Sequence, residues 1–136
     1  MAQLWRIWHR ICGRVEGMAQ QGNLGIRPSR TKEMIRYLHL HYHQDIMLDD
    51  IAHAVHMSRE ECCRFFKGIT GSTIFGYLRE YRIKKSLELL DHGQMTIGEV
   101  SEAVGFHSVS YFCQCFRKKM RMTPKQYQKR ANIAME

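Results

Sequence analysis

The sequence predicts an all-α protein in which two helix-turn-helix subdomains are joined by a long linking helix, with about seven helices in total. Three observations lead to this class. A pattern in residues 48–67 returns in residues 97–117, apolar residues recur at helical spacing along most of the chain, and no segment shows the alternation typical of a strand.

The repeat is strongest at the positions that pack one helix on the other. The aligned pairs are Ile51 with Val100, Ala52 with Ser101, Val55 with Val104, Met57 with Phe106, Cys62 with Phe112, Phe66 with Phe116 and Lys67 with Arg117. Two helices that meet at about 90–120° need a small residue at the crossing, and Ala52 and Ser101 supply it. A generic helical bundle with coincident spacing explains one copy, but two copies in register favour a duplicated helix-turn-helix.

The turn inside each copy needs a residue with a left-handed backbone. Gly105 meets this need in the second copy because glycine has no side chain to clash. His56 stands in the first turn, and histidine is among the residues that tolerate positive φ. We therefore expect His56 to be left-handed and mildly strained.

The remaining helices follow from spacing and end signals. A helix over residues 31–42 is predicted by Met34, Ile35 and Leu38, and a long one over 74–90 is terminated by His92 and Gly93. Proline favours the first turn of a helix, so Thr123 and Pro124 open the last one.

An amphipathic helix is predicted over residues 4–18, followed by a glycine-rich and polar linker over residues 20–28. Residues 1–27 are thus expected to precede a separate folded domain over residues 28–136. Three roles stay open for the helix, which contains Trp5 and Trp8: packing on the following domain, forming a homodimer, or linking to an absent upstream domain. A stand-alone protein and a fragment of a longer one are both compatible with the sequence, and the two tryptophans favour the fragment.

Charge points to a polyanionic partner. The net charge is +8 and the isoelectric point about 9.5. No carboxylate occurs between Ala103 and Met135, a stretch that contains Arg117, Lys118, Lys119, Arg121, Lys125, Lys129 and Arg130. A solvated basic face is the alternative interpretation. The run, however, begins at the end of the second helix of a helix-turn-helix, and this is the helix that the motif places in a DNA major groove.

Cysteine and histidine usage predicts neither a metal nor a cofactor. The five cysteines lack the spacing of a zinc site, and His39, His41 and His43 fall on different faces of a helix. Free thiols suit a reducing cytoplasm, which is the expected location. No run of eighteen apolar residues occurs, so the sequence predicts no membrane span.

Residues 31–130 resemble the DNA-binding domain of the AraC/XylS family of bacterial transcription regulators. The resemblance rests on motifs in both copies and in the linking helix: Ile51-Ala52, Ser58, Phe66-Lys67, Gly71, Tyr81-Arg82, Leu89-Leu90, Gly105-Phe106, Ser110-Tyr111-Phe112, Phe116-Arg117-Lys118, Thr123-Pro124 and Tyr127. Arg121 stands where the family usually has glycine, Ser86 and Ser101 replace alanines, and His56 occupies the first turn. The resemblance implies two helix-turn-helix subdomains that contact adjacent major-groove segments of duplex DNA, and RNA polymerase as a further expected partner.

Helical spacing selects the candidate contacts on each second helix. The expected base contacts are Glu60, Cys63 and Arg64 in the first copy and Val109, Ser110, Cys113 and Gln114 in the second. Arg64 suits guanine, Glu60 suits cytosine and Gln114 suits adenine, while Val109 suits a thymine methyl group. The expected phosphate contacts are Ser58, Arg59, Lys67, Ser108, Arg117 and Lys118. Arg82 is expected to be structural, tying the linking helix to its neighbours.

Two other function classes fit the sequence less well. An enzyme is disfavoured because the sequence has no catalytic triad order, no carboxylate pair at useful spacing and no phosphate-binding glycine loop. Within the enzyme alternative, Cys12 or Cys63 is the candidate for a redox-active or alkyl-accepting thiol. A neighbouring positive charge, such as that of Arg64 beside Cys63, stabilises the thiolate form. A basic protein-interaction module, or a protein that binds DNA regardless of sequence, is the other alternative.

Overall fold

The computed structural model describes residues 27–135, and this part of the chain forms seven helices and no strand. This confirms the predicted all-α class. The helices are α1 (Arg27–His41), α2 (Leu48–Val55), α3 (Arg59–Thr70), α4 (Ile74–His92), α5 (Ile97–Ala103), α6 (Val109–Met120) and α7 (Pro124–Met135). None of these helices is long and apolar enough to cross a membrane.

The first described helix begins earlier than its apolar spacing predicts. It starts at Arg27 instead of Thr31, with Pro28 in its first turn. Proline fits there because its φ is helical and its missing N–H has no partner to lose in the first turn. The predicted linker over residues 20–28 is therefore wrong at its last two positions. The predicted helix over residues 4–18 lies outside the described residues.

The chain divides into two compact units, and the boundary falls within α4. The first unit contains the residues up to His41 and Asp45–Leu78, and the second contains Tyr42–Gln44 and the residues from Arg79 onward. Helix α4 ends at His92, and Gly93 follows with φ 67°. The predicted glycine stop of the long helix is thus confirmed.

In the first unit, α2 and α3 bury the apolar residues of the first repeat. Ile51, Val55, Cys62 and Phe66 are all 2% exposed or less. Phe66 meets the Tyr77 ring edge-on, with ring centroids 5.6 Å apart. The predicted wedge between the two helices is confirmed, and Ala52 is buried beside it.

In the second unit, the equivalent residues of α5 and α6 form the core. Val100, Val104, Phe112 and Phe116 are completely buried. Arg82 on α4 donates from Nε to the carbonyl of Tyr42 at 2.7 Å and from Nη2 to the carbonyl of Gln44 at 3.0 Å. Its expected structural role is therefore confirmed, because it ties α4 to the short segment Tyr42–Gln44.

Helix α7 is fixed to the second unit by a phenol. The Tyr127 hydroxyl donates to Oδ1 of Asp91 at 2.9 Å, and its ring meets Phe116 edge-on at 5.9 Å. Burial, together with the nearby Asp91 carboxylate, raises the pKa of Tyr127 to about 12. The phenol therefore stays protonated at neutral pH and serves as a hydrogen-bond donor.

Ser101 lies at the tight crossing of α5 and α6, and its replacement by alanine is expected to stabilise the protein. Its Oγ is the one buried side-chain oxygen or nitrogen in the described residues that has no hydrogen-bond partner. A buried unpaired hydroxyl costs about 1–3 kcal/mol, so Ser101→Ala should raise the free energy of unfolding by about 1 kcal/mol or more.

Ser86 provides the matched control for this prediction. It is also completely buried, but its Oγ donates to the carbonyl of Ile83 at 2.5 Å. Ser86→Ala should therefore give no comparable gain in a urea titration monitored by circular dichroism. Equal effects of the two substitutions would contradict the assignment of an unpaired hydroxyl to Ser101.

Candidate nucleic-acid interface

The first turn places α3 through a left-handed histidine and a capping serine. His56 has φ 55°, as expected, and the N–H of Met57 donates to the carbonyl of Ala52 at 3.0 Å. The Ser58 hydroxyl accepts the N–H of Glu61 at 3.2 Å, and the N–H of Ser58 donates to the Glu61 carboxylate at 3.1 Å. This reciprocal cap fixes the residue at which α3 begins.

One face of α3 is left exposed by this placement. Residues 60, 63, 64 and 67 recur at spacings of three and four, so they share a face. Their side chains, Glu60, Cys63, Arg64 and Lys67, are all exposed, whereas Cys62 and Phe66 on the opposite face are buried. The structure therefore brings together the candidate base contacts of the first unit, with Lys67 beside them.

Arg59 differs from the other candidate phosphate contacts because it already has an anionic partner. Its Nε donates to Oδ1 of Asp49 at 2.5 Å and its Nη2 to Oδ2 at 3.1 Å. Both groups are more than half exposed, which makes the pair weak in energy. A phosphate must compete with Asp49 for this guanidinium.

The second turn depends on a glycine for two reasons. Gly105 has φ 96°, a conformation that L side chains rarely adopt. A Cβ atom at this position would lie 2.6 Å from the carbonyl oxygen of Tyr42 and 2.9 Å from Nε of Arg82. The turn thus sits directly against the hydrogen bond that joins those two residues.

Helix α6 presents the second set of candidates. The Ser108 hydroxyl accepts the N–H of Tyr111 at 3.2 Å and caps the helix. Val109, Ser110 and Gln114 are exposed, as are the candidate phosphate contacts Ser108, Arg117 and Lys118. Cys113 is half-buried, and this burial raises the pKa of its thiol. The thiol of Cys113 is therefore neutral at neutral pH.

Two open grooves of the second unit flank α6, and Gln114 and Lys118 line both. The first has a volume of about 670 Å³ and is completed by Cys113, Arg117, Arg121 and Thr123. The second has a volume of about 300 Å³ and is completed by Arg79, Glu80, Ile83, Tyr111, Cys115 and Lys119. Both the grooves and the exposed face of α6 are thus accessible to a polymer lying along this helix.

Three residues in these grooves escaped the sequence-based selection. Arg79 donates from Nη1 to the Tyr111 hydroxyl at 2.9 Å, and Arg121 ends α6 with φ 61°. Lys119 is bonded to Glu80, which precedes it by 39 residues in the chain. In the sequence, Lys119 and Arg121 belong to the basic run that contains no carboxylate, and Arg121 also stands where the family usually has glycine; Arg79 had no signal. The contacts of Arg79 and Lys119 depend on how α4 packs against α6.

The described residues contain no cluster of three histidine, cysteine or acidic side chains that could hold a metal ion. The described cysteines, Cys62, Cys63, Cys113 and Cys115, are free thiols. Cys12, one of the two candidates for thiol chemistry, lies outside the described residues. Cys63, the other, is exposed on the face of α3 that carries Glu60 and Arg64.

Known proteins contain the same pair of helix-turn-helix motifs. Residues 51–130 match the family described as a helix-turn-helix domain. A protein of Bacillus subtilis (strain 168), described as the uncharacterized HTH-type transcriptional regulator YdeC, is 48% identical over 104 residues, which cover 76% of this chain and 36% of that protein. The chain thus spans little more than a third of the length of that relative.

Solved structures show the same fold. A transcriptional regulator from Chromobacterium violaceum with an AraC-type DNA-binding domain superposes with a TM-score of 0.71 at 25% identity, over 76% of this chain and 92% of that one. The DNA-binding domain of AdpA, crystallised with a target DNA, superposes with a TM-score of 0.72 at 24% identity, over 76% and 94% of the two chains. The AdpA likeness supports the fold.

Proposed function

The chain belongs to the AraC-type family of helix-turn-helix transcription regulators, and from this membership we propose that it regulates transcription by binding a specific duplex site through both of its helix-turn-helix copies. The family is one of DNA-binding domains and not of enzymes. One observation carries the proposal for this chain. In both units, the second helix of the motif buries one face in the core and leaves the other exposed, with basic side chains at its end.

The exposed faces supply the proposed base contacts. In the first unit Arg64 donates two hydrogen bonds to a guanine and Glu60 accepts one from a cytosine amino group. In the second unit Gln114 pairs with an adenine, and Val109 packs on a thymine methyl group. Cys63, Ser110 and Cys113 complete the surfaces as small side chains that let the helix approach the bases closely.

The flanking groups supply the proposed phosphate contacts. Ser58 and Ser108 accept a backbone N–H, and each keeps its hydroxyl hydrogen as a donor. Lys67, Arg117 and Lys118 lie exposed beyond the base-contacting positions, where a side chain reaches the DNA backbone on leaving the groove. Arg59 contacts a phosphate when that phosphate displaces Asp49 from the guanidinium or shares the guanidinium with it. Such contacts position the protein without reporting the base sequence.

Two further partners are proposed besides DNA: RNA polymerase, and a surface that covers residues 4–18. RNA polymerase is proposed as a partner because regulators of this class act on transcription. Residues 4–18 are proposed to form a homodimer contact or a link to an upstream domain, since their apolar stripe needs a covering surface. A cytoplasmic location follows from DNA as the partner.

The decisive experiment selects bound sequences from a random duplex pool and then measures affinity for the selected site as salt is raised. With about 6–8 phosphate contacts, affinity should fall by roughly 10³-fold or more between 50 and 200 mM salt. At fixed salt, the selected site should bind at least about 10³-fold more tightly than random duplex.

The two measurements separate the proposal from its alternative. A steep salt dependence with equal affinity for random and selected duplexes indicates DNA binding regardless of sequence. Weak binding to every duplex, with little dependence on salt, indicates a protein-interaction module. Either result contradicts sequence-specific regulation.

A further inference from the structure

We propose that Arg121 binds a phosphate of the DNA backbone beside α6, so that the groove at the end of this helix is a further backbone-binding site. The inference rests on the proposed function and extends its second unit. Arg121 follows the last residue of α6, and with His56 it is one of two described residues other than glycine that have positive φ.

The backbone at Arg121 carries a conformational cost. Its φ is 61°, and its N–H donates to the carbonyl of Arg117 at 2.9 Å, which closes the last turn of α6. A left-handed conformation is unfavourable for a residue with a Cβ atom, and glycine adopts it without that cost. Strain of this kind persists mainly where a side chain has a use.

The side chain of Arg121 lies among other cations. It lines the groove of about 670 Å³ together with Arg117 and Lys118, and none of the described residues that line this groove is acidic. Arg117 and Arg121 line the same groove, so their like charges repel each other. Strain and repulsion are two separate costs. An anion bound in the groove reduces the repulsion, and its contact with the Arg121 side chain compensates in free energy for the strain, which remains.

The position of the groove identifies the anion. Gln114, the proposed adenine contact, lines the same groove, so a polymer whose bases meet Gln114 places its backbone within reach of the three cations. A phosphate accepts hydrogen bonds from arginine in a bidentate geometry. Backbone phosphate of the bound duplex is therefore the ligand, and Thr123 at the rim adds a neutral polar neighbour.

Lys119 shows that basic side chains of α6 are not interchangeable. It is adjacent to Lys118 in the chain, but its Nζ is bonded to the carboxylate of Glu80 in the other groove. Its charge is thus already compensated within the second unit. Lys119 is the matched control for Arg121, because it has the same charge and lies two residues away.

The test measures the salt dependence of binding to the selected duplex for the full chain and for Arg121→Gly, Arg121→Asn, Arg121→Lys and Lys119→Ala. Removing one phosphate contact should reduce the slope of log affinity against log salt by about 0.9. We expect this reduction for the glycine and asparagine variants, with weaker binding to all duplexes alike. The lysine variant should keep the slope, and Lys119→Ala should change it little.

Thermal unfolding, compared with DNA binding, distinguishes a phosphate contact from a purely structural role of Arg121. Arg121→Gly should raise Tm while weakening DNA binding, because it relieves the left-handed strain and removes the phosphate contact together. An unchanged slope in the glycine and asparagine variants, with normal binding by the unaltered protein, overturns the inference alone. Absence of salt-dependent duplex binding by the unaltered protein overturns the proposed function and this inference with it.

Discussion

Gly105→Ala is expected to destabilise the second unit by about 3–5 kcal/mol, the sum of backbone strain at one residue and the loss of a charge-assisted hydrogen bond. The backbone at this position has φ 96°, and a Cβ atom would lie 2.6 Å from the carbonyl oxygen of Tyr42. That oxygen is a backbone atom and accepts a hydrogen bond from Arg82 at 2.7 Å. The clash therefore pushes the turn away from the contact that ties α4 to the segment Tyr42–Gln44.

The measurement is thermal unfolding followed by circular dichroism, together with binding to the selected duplex. A loss of this size lowers Tm by roughly 12 °C or more in a domain of this length. Gly71→Ala is the matched control, because Gly71 also has positive φ, 79°, but nothing lies within 4 Å of its Cβ position. It should show the strain alone. If the Tm of Gly105→Ala were no lower than that of Gly71→Ala, the contact between the added Cβ atom and Tyr42 would contribute nothing to the loss of stability.

Arg64→Ala and Gln114→Ala are each expected to relax the preference for one base pair, at a cost of about 1–3 kcal/mol for the selected site. The two residues lie on the exposed faces of α3 and α6. Loss of a bidentate contact removes discrimination because the wrong bases never made that contact and so lose little. The variants should bind the best site more weakly and tolerate substitutions at one position of it.

Each of these residues has a control on its own helix. Lys67→Ala on α3 and Lys118→Ala on α6 remove proposed phosphate contacts, so they should weaken binding to all sequences equally and reduce the salt slope by about 1. The comparison within one helix removes differences in packing between the two units. If Arg64→Ala behaved like Lys67→Ala, Arg64 would contact the backbone and not a base.

Most of the fold was predictable because its signals are local. Helix starts at Ser58 and Thr123 and the left-handed turn at His56 follow from side chains acting on backbone groups within three or four residues. The repeat also indicated which helices pack together, which sequence spacing alone usually does not. The positions shared by the two copies are those at which the two helices of each copy contact each other. The start of α1 was missed since Arg27 and Pro28 precede the apolar positions that define its spacing.

The sequence predicted which face of each candidate helix is exposed, but it did not predict which side chains form hydrogen bonds between helices. Helical spacing separated exposed Arg64 from buried Phe66 without reference to the rest of the chain. The bond from Lys119 to Glu80 and the bond from Arg79 to Tyr111 join residues more than thirty positions apart. No pattern within a helix reports such pairs. Sequence spacing left both Lys119 and Arg121 out of the candidate contacts, whereas the structure distinguishes Lys119, which is paired with Glu80, from Arg121, which lines a groove with other cations.

The capping pairs that begin α3 and α5 have a consequence for how such regulators diverge. Ser58 with Glu61, and Thr96 with Glu99, close reciprocal bonds over three residues, and Ser108 caps α6 in the same short span. None of the proposed base contacts takes part in these bonds. Exposed substitutions away from such features usually change stability by no more than about 0.5 kcal/mol. A lineage can therefore exchange one operator for another by point mutation, while the residues that determine where each helix starts remain under separate selection.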